Sequence, residues 1–522
     1  MSDSKQEEVV AFLRSSSLFG AEPAAIEEVT THISRLLLGP ETALKLKRAV
    51  KRPYVDFSTP ELRLQAAERE VELNRRTAPN LYRGLRRITR APDGSLEFDG
   101  EGDLVDVVVE MRRFDEATLF DRQAVAGTLT PEMVASLAVA VAEFHQALEP
   151  VERSDGAAHM AGVLDVNESA FASNEVFDRQ SVEALNAAFR EQHEHLSRLL
   201  DERGREGRIR RCHGDLHLRN ICLVDGEPTI FDCLEFDEEL GTTDLLYDLA
   251  FLLMDLWHRD LRDHANLVLN RYLDVVEDEA GLPVLPFFMA VRAAVRAHVA
   301  ATASSELAHE KPDEAEEKRE EAWSYFRLAE ALLTKREPGL VAVGGLSGSG
   351  KSTVAKAIAS TIGLAPGART LSSDRLRKKR FGVAAETPLP AEAYTGEVTQ
   401  AVYATLGERA KGILSCGHGV VADATFSTAA EREAIELVAD ESGVAFNGLW
   451  LEVPAGELLR RVGARRNDPS DATSEIVLQQ LGRDHGAIDW SVVEAGGPIE
   501  QVREAALAAL AQASTKAVDK PS

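Results

Sequence analysis

Residues 340–353 read LVAVGGLSGSGKST, and their reading decides the fold of the C-terminal part of the chain. Leu340–Val343 is a short apolar run suited to a buried strand. Gly345–Ser352 then satisfies G-x-x-x-x-G-K-[ST] at every fixed position, and VAKAIA continues with helical character. Each part has a physical task. Glycines let backbone N–H groups close around phosphate oxygens, and the following helix turns its positive end to the same anion. Lys351 adds a point charge for the terminal phosphates, and Ser352 adds a hydroxyl ligand for Mg2+. Gly345, Ser347, Gly348, Ser349, Gly350, Lys351, Ser352 and Thr353 are therefore the expected nucleotide-binding residues.

A P-loop identifies a nucleotide but not a reaction, and three downstream segments narrow it. RTLSSDRLRKKRFG places Asp374 at a strand end, where a carboxylate can take the proton of an acceptor hydroxyl. Arg375, Arg377, Lys378, Lys379 and Arg380 follow, either to hold an anionic substrate or as a solvated basic face. GVVADATF is an apolar strand ending at Asp423, which can reach Mg2+ or its water shell, or cap a helix. LLRRVGARR sets Arg461 and Arg465 on one helix face, as arginines able to close over transferring phosphate or as surface residues. Together these segments resemble the small P-loop kinases related to gluconate kinase and zeta-toxin-like proteins, over roughly residues 339–510. That resemblance implies an acceptor-binding role for Asp374 and a nucleotide clamp made by Arg461 and Arg465. It leaves the acceptor open.

Further toward the N-terminus, HGDLHLRNICLVDGEPTIFD sets His213, Asp215 and Asn220 in H-x-D-x-x-x-x-N order, with Asp232 after a second strand. This is the layout of a kinase catalytic loop and its metal-binding aspartate. Asp215 is expected to accept the proton of the substrate hydroxyl, and Asn220 and Asp232 to hold Mg2+ against ATP phosphates. The segment resembles the aminoglycoside phosphotransferase family, across residues about 30–310, and TTDLLYDLAFLL resembles the helix that backs the catalytic loop there. The resemblance implies that TALK, at Thr42–Lys45, is the lysine strand. Lys45 is then the nucleotide lysine, with Lys47 on the same face as its rival. Glu70 is the expected ion-pair partner, with Glu68 and Glu72 as alternatives, and Val108–Phe114 falls where the hinge meets adenine. Glu235, Asp237, Glu238 and Glu239 form an acidic run suited to a cationic amino sugar or to a solvated loop.

Outside these motifs, VVAFL and IEEVTTHISRLLL, within residues 1–38, carry helical spacing. Pro60–Arg76 is a proline-started helix, LEFDG and LVDVVVEMRRF are strands, and a long charged helix stops at Pro338-Gly339. The expected organisation is an α+β kinase-like two-lobed domain over 1–337, an α/β P-loop domain with a parallel sheet over 338–512, and a disordered tail over 513–522. This order resembles bacterial bifunctional aminoglycoside phosphotransferase/ATP-binding proteins. The implied activity is ATP-dependent phosphorylation of a small-molecule hydroxyl on a sugar, amino sugar or aminoglycoside-like acceptor, with ATP and Mg2+ as cofactors. One domain could instead be a regulatory nucleotide switch, or the chain a nucleotide-sensing interaction protein.

Composition sets the remaining bounds. The net charge of −27 argues against a nonspecific grip on nucleic acid or anionic membrane. Cys212, Cys222, Cys233 and Cys416 lack zinc or CxxC spacing, and the N-terminus lacks an apolar signal core, so a cytoplasmic location is expected.

Overall fold

The computed structural model describes residues 3–20, 26–52, 55–464 and 469–518. The chain divides into two compact units, one of residues 1–158 and 200–255, the other of residues 159–199 and 256–522.

The first unit is built on a six-stranded antiparallel sheet in the order Glu27–Thr30, Ser34–Leu38, Thr42–Lys47, Asp103–Arg112, Tyr82–Arg90, Leu96–Phe98. The expected helix over IEEVTTHISRLLL is instead the hairpin formed by the first two strands. Val29, Thr30, Thr31 and Ile33 are β-branched, which favours an extended backbone. Thr31 closes the turn, its N–H donating to the Ser34 carbonyl at 2.8 Å and its Oγ1 accepting the Ser34 N–H at 3.0 Å. VVAFL does lie in a helix, Asp3–Arg14, and packs Val9, Val10 and Leu13 against Leu37, Leu44 and Leu46 on one face of the sheet.

The other face receives the helix Pro60–Asn74, which starts at proline and is capped by Thr59, whose hydroxyl accepts the Leu62 N–H. Ala67 and Val71 pack there on Ala43, Val107 and Val109. Since alternate residues of a strand share a face, Ala43, Lys45 and Lys47 all turn toward this helix. A second hairpin pairs Ile221–Val224 with Glu227–Ile230 through Asp225 and Gly226, both at positive φ, so that Asn220 and Asp232 flank its two ends.

The second unit carries a five-stranded, all-parallel sheet in the order Arg369–Ser372, Val420–Asp423, Gly339–Gly345, Ala445–Glu452, Ser491–Glu494. Helices Lys351–Ala359 and Ile499–Val518 cover it through Val354, Ile358, Val502 and Ala506. That last helix runs past residue 513, where the sequence suggests a disordered tail, because ALAALAQAS is built of helix-favouring residues. The unit also contains the helices Leu285–Leu307 and Pro312–Leu332. One segment, Glu279–Leu307, is long and apolar enough to cross a membrane, but 78% of its apolar window is buried inside the protein, as in a core helix.

Candidate active sites

In the first unit five charged side chains form a line. Lys45 Nζ lies 2.6 Å from Asp232 Oδ1 and 2.8 Å from Glu70 Oε1. Lys47 Nζ lies 2.7 Å from Glu70 Oε2 and 2.5 Å from Glu235 Oε1. Glu70 thus bridges both lysines, while Glu68 and Glu72 are exposed on the helix. Burial raises the Glu70 carboxyl, but Lys45 and then Lys47 outweigh it and hold the group down at about 2. Burial lowers Lys45, yet Asp232 and Glu70 outweigh that and keep it well above the ordinary ammonium range. The two lysines differ in access, with side-chain exposure of 12% at Lys45 and 1% at Lys47.

Lys45, Asp215 and Asp232 line one cavity of about 230 Å³, whose apolar wall includes Leu36, Met111 and Phe231. Met111 is the residue of the expected hinge that reaches this cavity, whereas Val108 is buried in the core on the opposite face of the sheet. Thr31 and Ile33, from the turn of the unexpected hairpin, complete the wall. That turn closes the cavity in a chain without a glycine-rich loop ahead of the lysine, and no motif in the sequence marks it.

Asp215 sits on a loop held from several sides. Asn220 Nδ2 donates to its carboxylate at 2.8 Å and to its carbonyl at 2.9 Å. His217 Nε2 lies 3.3 Å from Asp215 Oδ2, and the carboxylate retains 41% side-chain exposure. His213 is a structural lock, with Nε2 donating to the Phe231 carbonyl at 2.9 Å and Nδ1 accepting the Asp215 N–H at 3.3 Å. Asp248 accepts the N–H groups of His213 and Gly214 at 3.3 and 2.7 Å and meets His145 Nε2 at 3.1 Å, while Asp255 accepts from Leu218 at 3.0 Å. The helix Leu245–His258 therefore backs the loop through carboxylates as well as apolar packing. His145, Cys212 and Asp248 lie close enough to suggest a metal, but Cys212 donates to the Thr243 carbonyl and burial pushes its thiol well up, so the set is a hydrogen-bonded core network. Gly214 has φ +83°, and a Cβ there would stand 2.9 Å from the Leu234 Cβ. Close packing excludes any larger residue at that position.

The acidic run after Asp232 divides between a buried ion pair at Glu235 and a solvated turn at Glu238 and Glu239, which remain exposed. Glu235 is buried against Lys47, Asp237 caps the next helical turn by accepting the Leu240 N–H at 3.0 Å, and Glu238 and Glu239 pair with Arg69 and Arg153. Three of these four carboxylates meet the protein's own cations, and the fourth caps a helical turn.

In the second unit the loop glycines Gly345, Gly348 and Gly350 all have positive φ. A Cβ on Gly348 would stand 2.9 Å from Val462 Cγ2 and 3.0 Å from the Leu458 carbonyl, so the loop lies directly against the helix Ala455–Ala464. Ser352 Oγ donates to Asp423 Oδ2 at 2.6 Å, joining the P-loop helix to the adjacent strand end. Lys351 Nζ donates to the Leu346 carbonyl at 3.1 Å, and Ser349 Oγ is buried without a hydrogen-bond partner. Thr353 is exposed on the first turn of the helix. Asp374 is the second residue of the helix Ser373–Arg380. Burial and then the charge of Asp423 raise its carboxyl, against the pull of Lys351. Arg461 bonds Glu457 at 2.7 Å, and its Nη1 stands 3.8 Å from where a Gly350 Cβ would be. Arg465 lies outside the described residues.

Four of the five cations after Asp374 meet groups of the protein itself, while Arg380 is exposed and lines a cavity of about 470 Å³ with Lys379 and Arg409. Arg375 pairs with Asp274 at 3.1 Å, Arg377 donates to the Ala393 carbonyl at 2.6 Å, Lys378 meets Asp471 at 2.5 Å, and Lys379 pairs with Glu277. Gln480 has no sequence signature, yet its amide accepts the Ser347 N–H at 2.8 Å and donates to Ser347 Oγ at 3.1 Å.

Residues 57–288 match the model of the phosphotransferase enzyme family, and residues 340–484 match that of an AAA domain. The chain joins a phosphotransferase-family domain to a P-loop kinase domain. Together the two domain matches support a phosphotransferase at the level of family. It is 29% identical to uncharacterized proteins of Mycobacterium tuberculosis and Mycobacterium bovis over 483 residues, covering 90% of this chain and 92% of each relative. Among solved structures, it is similar to a gluconokinase from Sinorhizobium meliloti, at 25% identity and a TM-score of 0.27, over 36% of this chain and 100% of that one. It is also similar to a choline/ethanolamine kinase family protein from Mesorhizobium loti, at 13% identity and a TM-score of 0.37, over 63% of this chain and 99% of that one.

Proposed function

We propose that this phosphotransferase is an ATP-dependent kinase of small-molecule hydroxyl groups, with one nucleotide site in each domain. The observation that carries the reading is the shared cavity of the first domain. There Asp215, a half-exposed carboxylate on a pinned loop, lines the same space as Lys45 and Asp232. In the transfer, the acceptor hydroxyl oxygen bonds to the γ-phosphorus, the bond from that phosphorus to ADP breaks, and the hydroxyl proton passes to the Asp215 carboxylate. Lys45, kept cationic by its acid neighbours, meets the nucleotide phosphates, and Glu70 holds it in place.

The second site supports the same chemistry with Asp374 as proton acceptor, Lys351 at the phosphates, and Arg461 closing over the loop. The donor sets Asn220 with Asp232, and Ser352 with Asp423, consist of the hard oxygen ligands that Mg2+ requires. When bound, Mg2+ neutralises phosphate charge. Of the acidic run, Glu235 is taken up by buried Lys47, while the exposed Glu238 and Glu239 hold only surface pairs, so neutral sugars, amino sugars and aminoglycosides are all acceptors to try.

The test is phosphoryl transfer across sugars, amino sugars and aminoglycosides by wild type, Asp215→Ala and Lys351→Ala. Transfer lost only in Asp215→Ala assigns it to the first domain, and the reverse assigns it to the P-loop domain. Loss of one transfer in both folded variants would favour a regulatory role for one domain. No transfer to any acceptor, with nucleotide still bound, would overturn the reading.

A further inference from the structure

The strand Arg369–Ser372 lies at the edge of the parallel sheet and leads directly into Asp374. An edge strand leaves backbone N–H and C=O groups without a ladder partner. Here that row is met by side chains of the helix Arg262–Val276, which falls within the stretch matching the phosphotransferase family. Asn270 Oδ1 accepts the Thr370 N–H at 2.7 Å, and its Nδ2 donates to the Ala368 carbonyl at 3.1 Å. One side-chain amide thus satisfies the two groups that a neighbouring parallel strand would bond through a single residue. Asn266 adds bonds to the carbonyls of Pro366 and Ala368 at 3.1 and 3.0 Å.

One turn later on the same helix, Asp274 holds the arginines on either side of Asp374. Its Oδ1 lies 2.8 Å from Arg369 and its Oδ2 lies 3.1 Å from Arg375. Asp263, at the start of the helix, accepts from Ser360 Oγ at 2.5 Å, just past the C-terminal end of the P-loop helix. The helix therefore fastens both the element that begins with Lys351 and the one that carries Asp374.

We propose that Asn270 and Asp274 are positioning residues for the P-loop reaction, fixing the edge strand and first helical turn that aim Asp374, so that the P-loop kinase depends on a helix of the phosphotransferase-family domain. This rests on the reading of Asp374 as the acceptor-site carboxylate.

The test uses the full chain with Asn270→Leu, Asn270→Asp and Asp274→Asn. Two quantities are read: hydrogen exchange over residues 366–380, and the ATP turnover that Lys351→Ala abolishes. Leucine keeps the size of asparagine but cannot bond, so Asn270→Leu should speed exchange at Thr370 and lower turnover, each about tenfold or more, with the KM for ATP within about twofold of wild type. Asn270→Asp still offers an oxygen to Thr370 and Arg369 but sets another against the Ala368 and Asn266 carbonyls, so it should protect Thr370 better than Asn270→Leu while falling short of wild type. Asp274→Asn should lower turnover while leaving the Thr370 bond protected. Faster exchange with unchanged turnover in Asn270→Leu would overturn the proposal, as would loss of protection spread evenly over the whole sheet. Absence of any Lys351-dependent turnover in wild type would remove the P-loop reading itself. The exchange arm would still judge the clamp, and unchanged protection at Thr370 would overturn it.

Discussion

Replacing Lys47 with methionine tests the division of labour between two lysines that sit on one face of one strand. The substitution keeps the length of the side chain and removes its charge from the line Asp232–Lys45–Glu70–Lys47–Glu235. Glu235 then loses its ion-pair partner, with Lys45 farther along the line, and Glu70 keeps one lysine instead of two. The fall of Glu70 from its ordinary 4.5 to about 2 corresponds to about 3 kcal/mol at ~1.36 kcal/mol per pH unit, shared between Lys45 and Lys47. Adding the orphaned Glu235, the loss should reach about 3–5 kcal/mol, the range for breaking a buried pair. Lys45→Met should cost less stability, because Lys45 and its partner Asp232 retain side-chain exposures of 12% and 40%. It should cost far more ATP use.

The double variant Lys47→Met/Glu235→Gln removes both charges and should recover about 2 kcal/mol or more. The pH dependence has a definite sign. A carboxyl whose folded value is depressed contributes stability that is complete above its unfolded value and is lost as pH falls through the folded one. For Glu70 that window runs from 4.5 down to about 2 in wild type, and it should narrow from below in Lys47→Met. All four tryptophans, Trp257, Trp323, Trp450 and Trp490, belong to the second unit, so their fluorescence does not report on this sheet. Hydrogen exchange over 42–47 and 60–74 is the assay, with ATP kinetics beside it. If Lys47→Met left exchange within about 1 kcal/mol of wild type but abolished ATP use in the first domain, Lys47 would be the nucleotide lysine and the reasoning would be refuted.

Three further outcomes follow from single contacts. Asp248→Asn places an amide hydrogen against one of the two loop N–H groups that Asp248 accepts, and should lower first-domain turnover about 10–100-fold with little change in the KM for ATP, read by steady-state kinetics. Gly348→Ala must fit a Cβ 2.9 Å from Val462 and 3.0 Å from the Leu458 carbonyl at φ +90°, so nucleotide binding measured by calorimetry should fall by one site per chain. Gln480→Leu removes both bonds to Ser347 and should raise the KM for ATP at the P-loop about fivefold to tenfold while leaving the melting temperature nearly unchanged.

Much of both sites was legible because their chemistry is written in local spacing. A P-loop needs its glycines, lysine and hydroxyl within one turn, and the catalytic loop needs Asp215 and Asn220 at fixed separation with a hairpin leading to Asp232. Helical geometry then selects Glu70, since only that one of the three nearby glutamates shares the buried face with Ala67 and Val71. The hairpin over IEEVTTHISRLLL was less legible, because Ile26, Val29, Ile33 and Leu37 recur at spacings of three and four that also suit a helix face. What decides for strands is a tertiary demand: Leu37 must reach the core on one face of the sheet while Leu36 pairs with Lys45.

Charge roles were the least legible feature, for a reason that the run Arg375–Lys379 makes plain. Spacing along a helix says which cations share a face, and it says nothing about which acids arrive from elsewhere. Asp274, Glu277 and Asp471 lie about a hundred residues from the cations they meet. The same holds after Asp232, where Lys47, Arg69 and Arg153 come from other elements to meet Glu235, Glu238 and Glu239. A cluster of like charge in sequence is therefore weak ground for a binding site until its counter-ions are known. Most of the arginines and lysines that might have gripped an anionic acceptor at the P-loop site are already spent on the chain's own carboxylates and carbonyls. Lys351, beside Asp374 and Asp423, also bonds the Leu346 carbonyl of its own loop, a contact that phosphate oxygens can replace. Under the proposed function, an acceptor at the P-loop site meets few unengaged cations, which makes hydroxyl-rich, uncharged acceptors the ones to assay before anionic ones.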